Sequence, residues 1–343
     1  MWKRPTGGWG RMAALASVVA LLSLAACGGT EEASDTSQQV ADEEPQVEVV
    51  AFPVVSVPYF GLEYIADALE LDLENGIDLD ILQAQILGVT GVQPLLEGDS
   101  YTIQGLAVDG GLKAIQGGVD IVAVVEGYRA GGEFDIARYY ARAGSEIDGP
   151  EDLVGKRVGI PNLGAYADTI LDVYLQQADI DPGDVERIAV PHPELGAALL
   201  NEQVDVIGLH DAFYSQLEAS HDQDVRQVFA DTDVAPSEDL LSVYWFTTSF
   251  IEEEPELVGR FVATMKAAAK AVQEDPERAR EIIADVTGQD AASIVIPAYS
   301  PNQCIDEAAA AAWVSILEEQ GSLEGGSVPE GAWFTNEFND DCT

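Results

Sequence analysis

Basic residues are scarce in this sequence. Sixteen Lys and Arg stand against 61 Asp and Glu, which gives a formal net charge of −45 at pH 7. Binding to nucleic acid requires clustered Lys and Arg that neutralise phosphates, so no nucleic-acid partner is expected. The same deficit argues against docking through basic residues on an anionic lipid surface.

Cysteine and histidine are also rare, with three of each. Three cysteines are too few for a disulfide-built miniprotein or a Cys-rich zinc fold. The histidines at 192, 210 and 221 lack a metal-ligand spacing, and neither a Gly-x-Ser-x-Gly nor a His-Glu-x-x-His motif occurs. Gly155-Lys156 misses the P-loop spacing, and Arg157 stands where Ser or Thr is needed. We therefore expect no catalytic residue, no metal and no cofactor; an extracytoplasmic enzyme and a structural or adhesive lipoprotein are the competing classes.

The N-terminal segment has the layout of an export signal. Three bases within the first eleven residues precede an uncharged, largely apolar run at 12–24. Thirteen residues are too few to span a bilayer, which needs about 20, but they suit a secretory signal. The run ends in Leu24-Ala25-Ala26-Cys27, which resembles the bacterial lipobox. That resemblance implies cleavage of residues 1–26 and acylation of Cys27; the alternative is an ordinary signal peptide with an incidental Cys.

An acidic stretch follows the predicted cleavage site. Residues 30–46 are rich in Glu, Asp, Ser, Thr and Gln, so we expect 27–46 to be an acylated Cys and a solvated tether. Removing 1–26 takes away three bases and no acids, which leaves a net charge of −48. Repulsion among these charges destabilises a compact state at low salt, and molar salt screens the repulsion. The charge therefore favours a protein adapted to a salt-rich habitat over a moderately acidic envelope protein.

Two cysteines remain in the predicted mature chain, Cys304 and Cys342. In an oxidising extracytoplasmic setting they allow one intramolecular disulfide, which would fasten the C-terminal tail to the body. Closing that loop would contribute roughly 3–4 kcal/mol in the chain-entropy model. The alternative is two free or intermolecular thiols.

Short apolar runs alternate with helical patterns along the rest of the chain. Apolar residues make up 47%, enough for a core, and 343 residues suggest two lobes. Strands separated by helices predict an α/β fold with mainly parallel sheets. The alternation of strands and helices restarts near residue 134, and helices dominate after about 250. The predicted strands include 101–108, 157–160 and 240–250. Asp275-Pro276 and Gly288 predict the start and the end of a late helix. Residues 27–343 contain no apolar run of 18 or more residues, so we expect a soluble folded part.

Three passages resemble the solute-binding proteins of ABC importers. Residues 151–160, Glu-Asp-Leu-Val-Gly-Lys-Arg-Val-Gly-Ile, are similar to that family's entry into its second lobe. Residues 194–205 are similar to its helix followed by Ala-Leu-x-x-Gly-x-Val-Asp, and Gly98-Asp99 resembles an element of the first lobe. With the lipobox, this resembles the branch for sulfonates, taurine, nitrate and thiamine-precursor pyrimidines.

The resemblance implies a two-lobe type II periplasmic-binding fold. Lobe 1 would hold residues 47–127 and 244–343, and lobe 2 would hold 128–243, with Gly127, Gly131 and Gly132 at a hinge. The protein would be a lipid-anchored monomer on the extracytoplasmic face of the cell membrane. It would capture a small molecule between its lobes and deliver it to the permease and ATPase subunits of an importer.

Candidate binding residues of lobe 1 follow strands or begin helices, where backbone N–H groups converge. Ser56 could donate a hydrogen bond to a ligand, and Tyr59 could stack on it. Alternatively, both residues serve only the geometry of the turn and the packing of the core. Thr90 is either a ligand contact or an N-cap. Asp109 could accept from a ligand amine or cap its helix. Tyr244 and Trp245 could give flat contact area to a ring, or lie in a buried strand, since 243–246 is continuously apolar or aromatic.

Candidates of lobe 2 lie at two predicted strand-to-helix junctions. They are Asn162, Gly164 and Tyr166 at one junction, and His210 and Asp211 at the next. Asp211 could cap its own helix, and His210 could be a surface residue.

Cations are scarce near these loops, with Arg129 taken as the nearest, and acids facing the cleft would repel an anion. We therefore expect a neutral or cationic nitrogenous ligand, such as a heteroaromatic pyrimidine. An aliphatic sulfonate, taurine or nitrate is the alternative.

Overall fold

Two five-stranded sheets organise the chain in the computed structural model. The structure describes residues 49–56, 61–83, 102–103, 107–235, 241–329 and 331–342. Within these ranges the strand order is β2-β1-β3-β10-β4 in the first sheet and β7-β6-β8-β5-β9 in the second. The α/β fold with two lobes, predicted from alternating strands and helices, is confirmed.

The first sheet is parallel except for its late strand. Its strands are β1 (Val50–Ser56), β2 (Ile77–Gln83), β3 (Thr102–Ile103), β4 (Ile121–Arg129) and β10 (Leu241–Thr247). Strand β1 pairs in parallel with β2 and β3, whereas β10 runs antiparallel to β3 and β4. The chain therefore returns to this sheet after building the second one.

The second sheet repeats this arrangement. Its strands are β5 (Ala137–Arg142), β6 (Arg157–Ile160), β7 (Glu186–Ala189), β8 (Val206–His210) and β9 (Val225–Ala230). Strand β6 pairs in parallel with β7 and β8, while β5 runs antiparallel to β8 and β9. The bounds of β6 match the sequence prediction residue for residue.

Helices connect and cover the strands. They are α1 (Leu62–Ala68), α2 (Leu71–Glu74), α3 (Val108–Gln116), α4 (Tyr166–Gln177), α5 (His192–Leu200), α6 (Asp211–His221), α7 (Thr248–Glu253), α8 (Pro255–Glu274), α9 (Pro276–Thr287) and α10 (Glu307–Glu319). The caps of α9 are as predicted: the Asp275 carboxylate accepts from the N–H of Arg278, and Gly288 ends the helix at φ 73°.

The chain passes between the two sheets twice. The first sheet ends at Arg129 and the second begins at Ala137; the chain leaves the second sheet after Ala230 and rejoins the first at Leu241. Gly131 and Gly132 lie in the outward crossing at φ 153° and 66°, values that favour glycine.

Two strands have other ends in the structure than the sequence pattern predicts. The sequence pattern predicts a strand that ends at Val108, but Val108 begins α3, which runs through Gly110 and Gly111. The strand predicted over 240–250 stops at Thr247, because the Thr247 hydroxyl accepts from the N–H of Phe250 and starts α7.

The helical C-terminal part packs across both sheets. One continuous hydrophobic core contains Leu112 of α3, Ile170 of α4 and Trp313 of α10. Cys304 and Cys342 form a disulfide with a Cα–Cα distance of 5.6 Å, which attaches the tail as expected from the sequence. The two sheets are therefore held against each other by buried apolar contacts.

Candidate functional site

A polar cluster joins α3 of the first lobe to α4 of the second. Lys113 Nζ donates to Asp109 Oδ2 at 3.2 Å and to Thr169 Oγ1 at 2.8 Å. The Thr169 hydroxyl in turn donates to Asp109 Oδ2 at 2.8 Å. Lys113 also donates to the backbone carbonyl of Gly164 at 2.9 Å. Two sequence candidates, Asp109 and Gly164, thus meet across the lobes through one lysine.

Asp109 is fully buried, and it does not cap its helix. The N-cap of α3 is Ala107, with no side-chain cap bond, and Asp109 stands in the first turn. Its Oδ2 accepts from Lys113 and Thr169, whereas its Oδ1 has no hydrogen-bond partner. The helix-cap alternative for this residue is therefore wrong. Arg129 is also not the nearest cation, because Lys113 lies one helical turn from Asp109 and contacts it.

Contacts within the second lobe hold the loop that precedes α4 in place. The N–H of Gly164 donates to the Asp168 carboxylate at 2.7 Å, and Asp168 pairs with Arg187 at 2.9 Å. Gly164 has φ 75°, which explains a glycine there. Asn162 is half-buried in the same loop, and its carbonyl accepts from the N–H of Ala165.

Tyr166 begins α4 and points into the protein interior. Its hydroxyl donates to Asp231 Oδ2 at 2.7 Å, and its ring lies 5.8 Å from Trp313 and 5.9 Å from His210. Asp231 is fully buried and also accepts from the N–H of Ala137 at 3.0 Å. Burial raises the pKa of Asp231 to about 7, against the effect of these hydrogen bonds.

His210 and Asp211 lie at the start of α6, as predicted. The His210 ring packs 5.1 Å from that of His192. Loss of contact with water lowers the pKa of His210 to about 4, so its imidazole is neutral at pH 7. Asp211 is buried and faces α9 of the first lobe, where it lines a small cavity with Ile283.

Ser56 and Tyr244 converge on a buried acid that sequence reasoning missed, Glu63. The Ser56 hydroxyl donates to Glu63 Oε1, and the Tyr244 hydroxyl donates to Glu63 Oε2 at 2.5 Å. The Tyr244 hydroxyl also accepts from the N–H of Leu62 at 3.2 Å. Burial raises the pKa of Glu63 despite these bonds.

Trp245 belongs to the interior of the first lobe. It is fully buried, and a Cβ added to Gly111 would lie 2.0 Å from its ring. The ring of Trp333 lies 5.6 Å away on the same cluster. Trp245 and Tyr244 therefore lie in a buried strand, which is the second of the two alternatives that the sequence left open.

Sequence reasoning missed Lys113, Thr169 and Asp231, the partners of the candidate residues, because the sequence signals for them are weak or absent. Lys113 stands at i+4 from Asp109, a spacing that brings the two side chains together on a helix. Thr169 and Asp231 carry no local signal, because their partners are 60 and 65 residues away in the chain. Tyr59, Thr90 and Cys27 lie outside the described residues.

Within the described ranges, no group of three or more His, Cys, Asp or Glu is arranged to hold a metal ion. No described helix is both long and apolar enough to cross a bilayer.

Comparison with known proteins identifies the family. A family model described as NMT1/THI5 like matches residues 58–279, and the chain belongs to this family. A protein of Brucella abortus (strain 2308), named only as a binding protein, is 24% identical over 174 residues, 51% of this chain and 52% of that protein. The chain thus spans about half the length of the curated relatives it matches.

Solved structures establish the fold. The alkanesulfonate-binding protein of Xanthomonas axonopodis pv. citri, bound to MOPS, superposes with a TM-score of 0.70 at 16% identity, covering 84% of this chain and 99% of the other. The periplasmic nitrate-binding protein of Synechocystis PCC 6803 gives 0.65 at 10% identity, covering 83% and 84%. The fold is that of two-lobe periplasmic binding proteins.

Proposed function

We propose that this protein is the extracytoplasmic solute-binding component of an ABC importer. The observation that carries the proposal is the polar cluster between α3 and α4. It joins the lobes through Asp109, Lys113 and Thr169. These residues lie near the N-terminal ends of two helices, where the sequence also predicts binding residues. Separation of the lobes would break these bonds, so they would stabilise a closed state over an open one.

Charge at the junction of the lobes favours a neutral or cationic nitrogenous ligand. The carboxyls of Asp109 and Asp211 are buried in this region. Lys113 is already engaged with Asp109. An anion brought here would meet acids in a low-dielectric setting, whereas an amine or an amino-heteroaromatic would be attracted. A thiamine-precursor pyrimidine is the ligand we favour.

A small sulfonate, taurine or nitrate is the second candidate. Two structural neighbours are named as alkanesulfonate-binding and nitrate-binding proteins. The ammonium of Lys113 lies between the lobes, 15% exposed, and could contact an anion if it turned away from Asp109. Catalysis on this fold is not proposed, because the sequence offers no nucleophile and base in a known arrangement.

The N-terminal features complete the proposal. Residues 1–26 would act as a signal peptide, Cys27 would carry the lipid, and 27–46 would link lipid and body. The protein would act as a monomer that meets its permease at the extracytoplasmic face of the membrane. The net charge of −48 that remains after cleavage would make salt a requirement for full stability.

A thermal-shift screen tests the proposal. The purified protein is heated in low and in molar salt with pyrimidines, thiamine, riboflavin, taurine, alkanesulfonates, nitrate and amino acids. A ligand at about 100 times its Kd should add roughly 2.7 kcal/mol and raise the midpoint visibly. A pyrimidine hit supports the favoured ligand, and a sulfonate or nitrate hit supports the second. No shift with any compound in molar salt would count against solute binding.

A further inference from the structure

The two oxygens of the Asp109 carboxylate have different surroundings. Oδ2 lies at the junction of the lobes and accepts from Thr169 Oγ1 and Lys113 Nζ. Oδ1 is equally buried but has no hydrogen-bond partner. A buried carboxylate oxygen without a donor is unfavourable, so such an atom in a binding protein points to a donor that arrives from outside.

Helix capping does not explain this carboxylate. The first turn of α3 receives no side-chain cap bond, and Asp109 sits inside the turn rather than at its cap. The same side chain bridges to α4, so its position depends on both lobes. A donor bound at Oδ1 would therefore touch a group that the closed state holds in place.

We propose that Asp109 Oδ1 accepts a hydrogen bond from an N–H group of the ligand, while Oδ2 ties the second lobe through Thr169 and Lys113. This inference rests on the proposed solute-binding function. It narrows the ligand to compounds that carry an ammonium or amino group. It also couples recognition to closure, because one carboxylate makes both contacts.

Two matched pairs of probes test the donor. 4-Amino-2-methylpyrimidine is compared with 2-methylpyrimidine, and taurine is compared with ethanesulfonate. Within each pair the second compound lacks the nitrogen donor. We expect a compound with N–H groups to bind in isothermal titration more tightly than its partner.

Variants then assign the effect to Asp109. Asp109→Asn weakens the interlobe bonds at Oδ2, so it should weaken both compounds by about 2- to 10-fold, and it should weaken the N–H compound about 10- to 100-fold more than its partner, because a charged hydrogen bond at Oδ1 is lost only with the former. Thr169→Val keeps Oδ1 and loses one interlobe bond, so it should weaken both compounds equally, by about 2- to 10-fold. Asp285→Asn, on an exposed part of α9, is the charge-matched control. Circular dichroism verifies that each variant is folded.

The outcomes separate this inference from the proposed function. If only ethanesulfonate or nitrate binds, or if Asp109→Asn weakens both members of a pair equally, solute binding stands and the role of Oδ1 is refuted. If a folded Thr169→Val discriminates within a pair as strongly as Asp109→Asn, Oδ1 is again refuted. If no probe binds the wild-type protein, the result counts against both.

Discussion

Replacing Asp231 with asparagine should remove a large pH dependence from the stability of this protein. Asp231 is fully buried and its pKa is raised to about 7, from about 3.9 for an exposed aspartate. The folded state therefore binds the proton more tightly than the unfolded chain. The resulting stability is fully present below about pH 4, falls as the pH rises, and is lost once the pH passes about 7.

The magnitude follows from the size of the shift. A rise of about three units, at about 1.36 kcal/mol each, gives about 4 kcal/mol across this pH window. Asparagine has the shape of the protonated acid, and its carbonyl oxygen can accept from Tyr166 and Ala137, which now donate to Oδ2. The variant should match the wild type near pH 4 and exceed it by up to about 4 kcal/mol above pH 7.

Urea denaturation from pH 4.5 to 8 measures this difference. Constant molar salt suppresses the general repulsion among the 61 acids, and subtracting the two curves isolates one group. Asp285→Asn, a surface change, should leave the curve of the wild type unaltered. If Asp231→Asn and wild type run in parallel over this range, the carboxylate is ionised in the folded state and the reasoning fails.

Other predictions concern packing, hydrogen bonding and charge. Gly111→Ala should destabilise by about 3 kcal/mol in chemical denaturation, because its Cβ would lie 2.0 Å from the Trp245 ring; Gly259→Ala, which meets no atom within 4 Å, should not. Tyr244→Phe removes a donor to Glu63, which should cost about 1–3 kcal/mol and raise the carboxyl pKa further; unchanged stability would contradict this. The thermal midpoint should rise from low salt to about 1 M KCl, where charges are screened within about 3 Å, and a flat profile would refute the role of repulsion.

Local patterns were enough to predict much of the fold. Strand β6 (Arg157–Ile160) and the caps of α9 by Asp275 and Gly288 were correct, since their signals lie within a few residues. The start of α3 was missed because Gly110 and Gly111 disfavour a helix by propensity. A glycine is needed at 111 because the Trp245 ring packs against it, and this contact joins residues 134 positions apart.

The sequence singled out several residues of the polar cluster and its surroundings, but not their pairings. The sequence named Asp109, Gly164 and Tyr166, and the structure brings the first two together through Lys113. It did not identify Asp231, the partner of Tyr166, because that bond joins distant segments. Long-range pairing of this kind has no periodicity in the sequence, so only the folded chain reveals it.

Ligand-driven closure of the lobes is the central claim, and small-angle X-ray scattering on the purified protein tests it most directly. A compound that binds by calorimetry is added to saturation in molar salt, and the radius of gyration is compared with that of the ligand-free protein. The account predicts that the radius falls, and that it falls less in Thr169→Val, which lacks an interlobe hydrogen bond. Saturating binding with an unchanged radius in both proteins would contradict it.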